Sequence, residues 1–165
     1  MEHAADGPAW VLALEHSGLG QALRQSLWLY PLANVVHVLA MAVLVGSILA
    51  FDLRMLGLAR SLPADRLARL LLPLAGAGLA AALLTGSLLF TADAGAVWAN
   101  PVFPVKLTLI ALGLVNIALV HAGPFRSLAG WGSGGLSPRP ARIGAALSIL
   151  IWFSVAGCGR LIAYF

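Results

Sequence analysis

The chain has 165 residues, of which 61% are hydrophobic and only 10% are charged. A soluble domain carries about 25% charged residues because its surface faces water. The composition therefore excludes an ordinary soluble domain and predicts a single transmembrane domain over residues 1–165. The formal net charge of +4 comes from basic residues scattered between apolar runs, which is typical of membrane topology rather than of nucleic-acid binding.

Residues 8–29 precede the first long apolar run. Trp10, Leu19 and Leu23 belong to an apolar pattern with helical spacing that glycines interrupt. This pattern predicts one or two short interfacial helices on the outer membrane surface. Ser17 is suited to cap the second of them, since a serine side chain can accept a hydrogen bond from a free amide of the first turn.

Four apolar segments are long enough to cross a bilayer, which takes about 20 residues for roughly 30 Å of hydrocarbon. The predicted spans are residues 31–51, 67–90, 104–121 and 142–164. The predicted fold class is therefore an all-α integral membrane four-helix bundle. Small residues recur every four positions in the second span, at Gly78, Ala82 and Gly86. Such rows favour close approach between membrane helices.

The basic residues predict the orientation of the bundle. Seven of the ten lie in the connections after the first and third spans: Arg54, Arg60, Arg66, Arg69, Arg126, Arg139 and Arg142. By the positive-inside rule these connections are cytoplasmic, and the topology is N-out and C-out. Asp52 and Arg54 end the first span at this face, where we predict that they pair with each other or with neighbouring connections.

His37 lies within the first span, about 10 Å below its outer boundary at 1.5 Å per residue, and Met41 follows one turn later. An ionisable group inside a membrane is costly and marks a candidate site. Imidazole and thioether groups are both suitable ligands for haem iron or copper. Alternatively, His37 is a neutral hydrogen-bond partner between helices and Met41 fills space in the core.

Lys106 begins the third span at a depth close to that of His37. With Arg24 and Arg160, which are also predicted outside, it could form a basic pocket for haem propionates or another anion. Alternatively, these side chains reach lipid phosphates. His121 ends the third span about 15 Å deeper than His37, too far for both to bind one haem in one protomer. It is either a second, separate ligand or a favourable helix-end residue.

Motifs along nearly the whole chain resemble a family of small bacterial four-span membrane proteins of unknown function. They are WLYP at 28–31, His37, Asp52–Arg54, Leu72–Pro73, Thr85–Gly86, NPVFPVK at 100–106, Asn116, His121 and GRLIAYF at 159–165. The resemblance implies a multi-pass protein of the bacterial inner membrane and no particular activity.

A fainter similarity to copper resistance protein D and transmembrane b-type cytochromes rests on His37, Lys106 and Asn116. It implies copper or haem b as cofactor. The chain departs from a two-haem cytochrome, which would need four well-placed histidines, because His3 and His16 lie outside the spans.

Nucleotide-binding and hydrolytic motifs are missing: there is no Walker loop, H-E-x-x-H, Cys-x-x-Cys or serine elbow. We therefore expect a protein that is not an enzyme. The leading prediction is binding of haem b or copper near the outer face, for electron transfer or metal handling, with a membrane redox partner or as a homo-oligomer. The alternative is a structural, accessory or small-solute-conducting bundle without a cofactor.

Overall fold

The computed structural model describes residues 7–123, 125 and 135–164, and this part of the chain is helical with short connections. Its helices are α1 (Ala9–Glu15), α2 (Gly18–Gln25), α3 (Leu29–Leu56), α4 (Ala64–Ala92), α5 (Ala94–Ala99), α6 (Val102–Ala122) and α7 (Arg139–Leu161). The four long helices α3, α4, α6 and α7 are apolar enough to cross a membrane. The predicted all-α membrane bundle is confirmed. Arg126, one of the predicted cytoplasmic arginines, lies outside the described residues.

The long helices extend past most of the predicted span ends. The first span was predicted to end before Asp52, where the apolar run ends. Helix α3 continues to Leu56, because its backbone hydrogen bonds do not depend on side-chain polarity. Gly57 ends it with a left-handed φ of 110°, and its N–H donates to the Arg54 carbonyl at 3.1 Å. Glycine suits this cap because it lacks a Cβ. The last span ends three residues earlier than predicted, at Leu161.

The two short N-terminal helices are confirmed, as is the cap between them. The Ser17 hydroxyl accepts a hydrogen bond from the Gly20 amide at 3.2 Å. Helix α5 was not predicted, because its six residues are too few for a periodic signal. It packs on α1, where the Trp10 and Trp98 rings meet edge to face with centroids 5.0 Å apart.

Helices α3 and α7 form the centre of the bundle. Helix α4 packs against α3, and α6 packs against α7. The core between them is built around Leu44, Trp152 and Val155, each at most 2% exposed. No Cα atom of α4 lies within 8 Å of one in α6. The bundle is therefore open between α4 and α6, and α5 joins these two helices at one end of the opening.

The surfaces of the long helices are apolar. Leu84 on α4 is 70% exposed and Leu119 on α6 is 67% exposed, and Gly113 is the buried residue of α6. Lipid tails solvate such side chains, and the helical backbone satisfies its own polar groups. The protein is thus a multi-pass membrane protein with lipid contact along its spans. The bacterial inner membrane and the N-out orientation stay predictions.

Candidate functional site

A cavity of about 630 Å³ lies between the four long helices at the end that carries α5. Ligand pockets typically enclose about 300–1,000 Å³, so this one has room for a cofactor-sized molecule. Its polar and sulfur-bearing wall residues come from α3, α6 and α7 and from the connections on either side of α5. They are Tyr30, Asn34, His37, Met41, Asp93, Asn100, Lys106 and Arg160. By the predicted topology, this end faces outwards.

His37 presents its imidazole to the cavity in a defined tautomer. Its Nδ1 lies 2.9 Å from the Thr85 hydroxyl, and that hydroxyl donates to the Ala81 carbonyl at 2.7 Å. The single Thr85 proton is therefore used, so Nδ1–H of His37 is the donor. In this tautomer the lone pair of the imidazole is on Nε2. Metal-ligating histidines commonly have this arrangement, with the other ring nitrogen donating to the protein.

Gly86 gives the imidazole its room. A Cβ at this position would lie 3.1 Å from Cε1 of His37, tighter than an ordinary contact. The row Gly78, Ala82 and Gly86 predicted close helix contact, and its last member accommodates a side chain of the cavity. Met41 lines the same cavity one turn below His37.

Lys106 and Arg160 bring two positive charges to the cavity wall. Lys106 is half-buried and forms no ion pair among residues 7–123, 125 and 135–164. Gly159 lies beside it, where a Cβ would sit 3.5 Å from Nζ. The Arg160 guanidinium donates to the Tyr164 hydroxyl at 2.7 Å and stacks over that ring, 4.9 Å from its centroid.

Asp93 is the acidic group of the cavity wall, at the junction of α4 and α5. Partial burial raises the pKa of its carboxyl, the nearby Glu15 carboxylate raises it further, and Arg24 opposes both. A raised pKa means that Asp93 loses its negative charge at a higher pH than an ordinary aspartate does as the solution is acidified. The cavity therefore becomes more favourable to anions as the pH falls through the pKa of Asp93.

Two residues predicted for the site lie elsewhere. Arg24 does not line the cavity: it pairs with Glu15 at 3.2 Å and donates to the Ala92 carbonyl at 3.0 Å, which joins α2 to the end of α4. His121 lies at the opposite end of the bundle, where its Nδ1 is 2.9 Å from the Ile117 carbonyl. This agrees with the depth of His121 predicted from the sequence, about 15 Å below that of His37.

Asn100 and Asp93 were not predicted as wall residues. Asn100 is 7% exposed, donates to the Ile162 carbonyl at 3.1 Å and accepts from the Val102 amide at 2.9 Å. It therefore fixes the turn into α6 against the end of α7. Its place just before Pro101 indicated a turn, but the contact with α7 is long-range and leaves no local signal.

The donor set for a metal ion is small. In the described ranges no group of three or more His, Cys, Asp and Glu side chains is placed to hold one. His37 and Met41 supply two protein donors in the cavity, and a copper ion would need further ligands from elsewhere. A haem needs fewer protein donors, since the macrocycle occupies four positions around the iron.

A family model described as a family of unknown function (DUF6644) matches residues 17–165. The match covers most of the chain, so the protein belongs to this family, and the predicted resemblance to an uncharacterised family is confirmed. No curated protein and no solved structure matches the chain significantly. The similarity to copper resistance protein D and b-type cytochromes stays a prediction.

Proposed function

We propose that this membrane protein binds haem b in the cavity lined by His37 and serves electron transfer. The observation that carries the proposal is that the His37 imidazole, held through Nδ1 by Thr85, lines a cavity of about 630 Å³ together with Lys106 and Arg160. An imidazole nitrogen is the usual protein ligand of haem iron. Two cations suit the two propionates.

The remaining walls are compatible with a flat aromatic ligand. The Phe90 and Phe103 rings stack with centroids 5.2 Å apart and line the cavity between α4 and α6. Bound haem supplies one-electron chemistry, while the protein binds it, orients it and excludes water. His37 would hold the iron, with Thr85 bonded to the other side of its imidazole, and Lys106 and Arg160 would hold the carboxylates. The second form of this proposal is a copper ion bound by His37 and Met41. It is less well supported, because these two side chains alone do not complete the coordination of copper.

The competing function is a structural or solute-conducting bundle. In that case the bond between His37 and Thr85 joins α3 to α4, and the cavity holds lipid tails. This alternative predicts that the purified protein contains no stoichiometric cofactor. It also predicts that the affinity for haem b does not depend on the charge of Lys106.

The proposal is tested with the full chain purified in detergent, by absorption spectroscopy and by iron and copper analysis. We expect a Soret band, or its appearance on titration with haem b, at one haem per chain. Lys106→Met should weaken binding of haem b about 10-fold or more, because it removes a charge-assisted hydrogen bond. The dimethyl ester of haem, which lacks the carboxylates, should bind both proteins equally.

Two results would overturn the proposal. One is a wild-type protein that shows neither a saturable Soret band nor stoichiometric copper. The other is a Lys106→Met effect of the same size on haem and on its dimethyl ester, which would mean that the lysine supports the fold instead of a carboxylate.

A further inference from the structure

A second polar site lies at the other end of the bundle, away from the haem proposal. Asp52 on α3 is only 5% exposed, and its Oδ2 has no hydrogen-bond partner in the described part of the chain. Asp52 and Arg54 do not pair with each other. Arg54 follows the other predicted alternative and bonds to the neighbouring connection, where it donates from Nε to the Leu62 carbonyl at 2.7 Å and from Nη2 to the Arg60 carbonyl at 3.4 Å. Burying a carboxylate whose negative charge is not compensated costs several kcal/mol. A bound cation would offset this cost at Asp52.

Two further side chains with oxygen atoms that can bind a cation line the same cavity as this carboxylate. Ser148 on α7 is 6% exposed and lies beside Asp52 in the wall of the same cavity. Asn116 on α6 donates from Nδ2 to the Gly144 carbonyl at 3.1 Å. A carbonyl can only accept, so this bond identifies Nδ2 as the donor and leaves Oδ1 as the accepting atom of the amide.

The three side chains line one small cleft. A cavity of about 30 Å³ is bounded by Asp52, Asn116 and Ser148 together with apolar groups of α3, α4, α6 and α7. A cavity needs roughly 10–15 Å³ of such space to hold one water molecule. The cleft therefore has room for a small ion or a water molecule, and polar side chains from three helices contribute to its wall.

Among the described residues, no basic side chain forms an ion pair with Asp52. Arg54 and Arg142 are absent from the cavity wall. His121 does line it, but its Nδ1 faces the Ile117 carbonyl and its side chain is exposed. The ion pairs of the described chain involve Glu15 and Asp65, not Asp52.

We propose that Asp52, Asn116 and Ser148 form a binding site for a single Na⁺ ion. Hard cations prefer oxygen ligands, and one carboxylate balances one positive charge. Ca²⁺ is bound by six to eight oxygens, more than these three side chains offer, and one carboxylate does not balance a divalent charge. The bound ion ties α3, α6 and α7 together, and α6 otherwise packs chiefly on α7.

The test uses the full chain in detergent at pH 8, with the thermal unfolding midpoint measured in NaCl or N-methyl-glucamine chloride at equal ionic strength. A ligand that binds only the folded state stabilises it according to its concentration over its Kd. We expect a saturable rise with Na⁺. Asp52→Asn should abolish it, and Ser148→Ala should weaken the apparent Na⁺ affinity about 10-fold, as expected for loss of one ligand.

Asp65→Asn is the matched control, because Asp65 lies at the same end and pairs with Arg69 at 3.6 Å on the surface of α4. It should keep the full Na⁺ effect. If a variant does not fold, ²³Na line broadening of the wild-type protein and its competition by Li⁺ provide the readout. The proposal is overturned if Na⁺ stabilises no better than N-methyl-glucamine, if Asp52→Asn keeps the effect, or if only acidification stabilises the protein, which would assign the site to a proton alone.

Discussion

Replacing His37 with alanine should abolish the Soret band of the haem-loaded protein, whereas His121→Ala should leave it unchanged. The two histidines are a matched pair, since both lie in long helices and both make one hydrogen bond through Nδ1. Only His37 lines the large cavity. Loss of the iron ligand removes the coordinate bond, so we expect the purified variant to retain no haem and therefore to show no Soret band.

The stability of the His37→Ala protein separates ligand loss from unfolding. The variant loses one hydrogen bond, with Thr85, which costs about 1 kcal/mol. Its thermal midpoint without haem should therefore stay close to that of the wild type. A variant that folds and still gives the wild-type Soret band would show that His37 does not hold the iron.

Substitution of Gly78 by alanine should destabilise the bundle, while Gly76→Ala should not. A Cβ at Gly78 would lie 2.8 Å from the Leu44 amide nitrogen and 2.9 Å from the Ala40 carbonyl oxygen. Both atoms belong to the α3 backbone and cannot rotate away, so α3 and α4 must move apart. Overpacking of this kind costs about 1–3 kcal/mol, and α3–α4 is the most extensive helix contact of the described chain.

Gly76 provides the control on the same helix. A Cβ at this position meets nothing within 4 Å, so alanine brings only its better helix propensity, worth up to about 1 kcal/mol. Thermal unfolding in detergent measures both variants. Equal midpoints for Gly76→Ala and Gly78→Ala would contradict the close approach of α3 and α4.

Much of this architecture follows from the apolar pattern. Four runs long enough to span a bilayer predict α3, α4, α6 and α7, because a membrane admits helices whose backbone groups are satisfied internally. The row Gly78, Ala82 and Gly86 predicts where a second helix lies close. Depth counting placed His37 and Lys106 at one level, and the structure brings both to one cavity.

The partners of these residues could not be read from the sequence. Thr85 lies 48 positions from His37, and the hydrogen bond between them depends on how α4 rotates against α3. Arg24 shared the predicted level with Lys106 but joins Glu15 instead, because α2 folds back over the end of α4. Such contacts depend on the packing of the helices, which composition and spacing do not determine.

Labelling of single cysteines tests most directly whether the protein crosses the membrane four times and opens its large cavity to the outside. In a Cys158→Ser background, Ala99→Cys on α5 and Ala59→Cys in the α3–α4 connection place one exposed thiol at each end of the bundle. A membrane-impermeant maleimide should label Ala99→Cys in intact spheroplasts and Ala59→Cys only after permeabilisation. The reverse pattern would put the cavity on the cytoplasmic side, and labelling of both positions in intact spheroplasts would contradict the four-span topology.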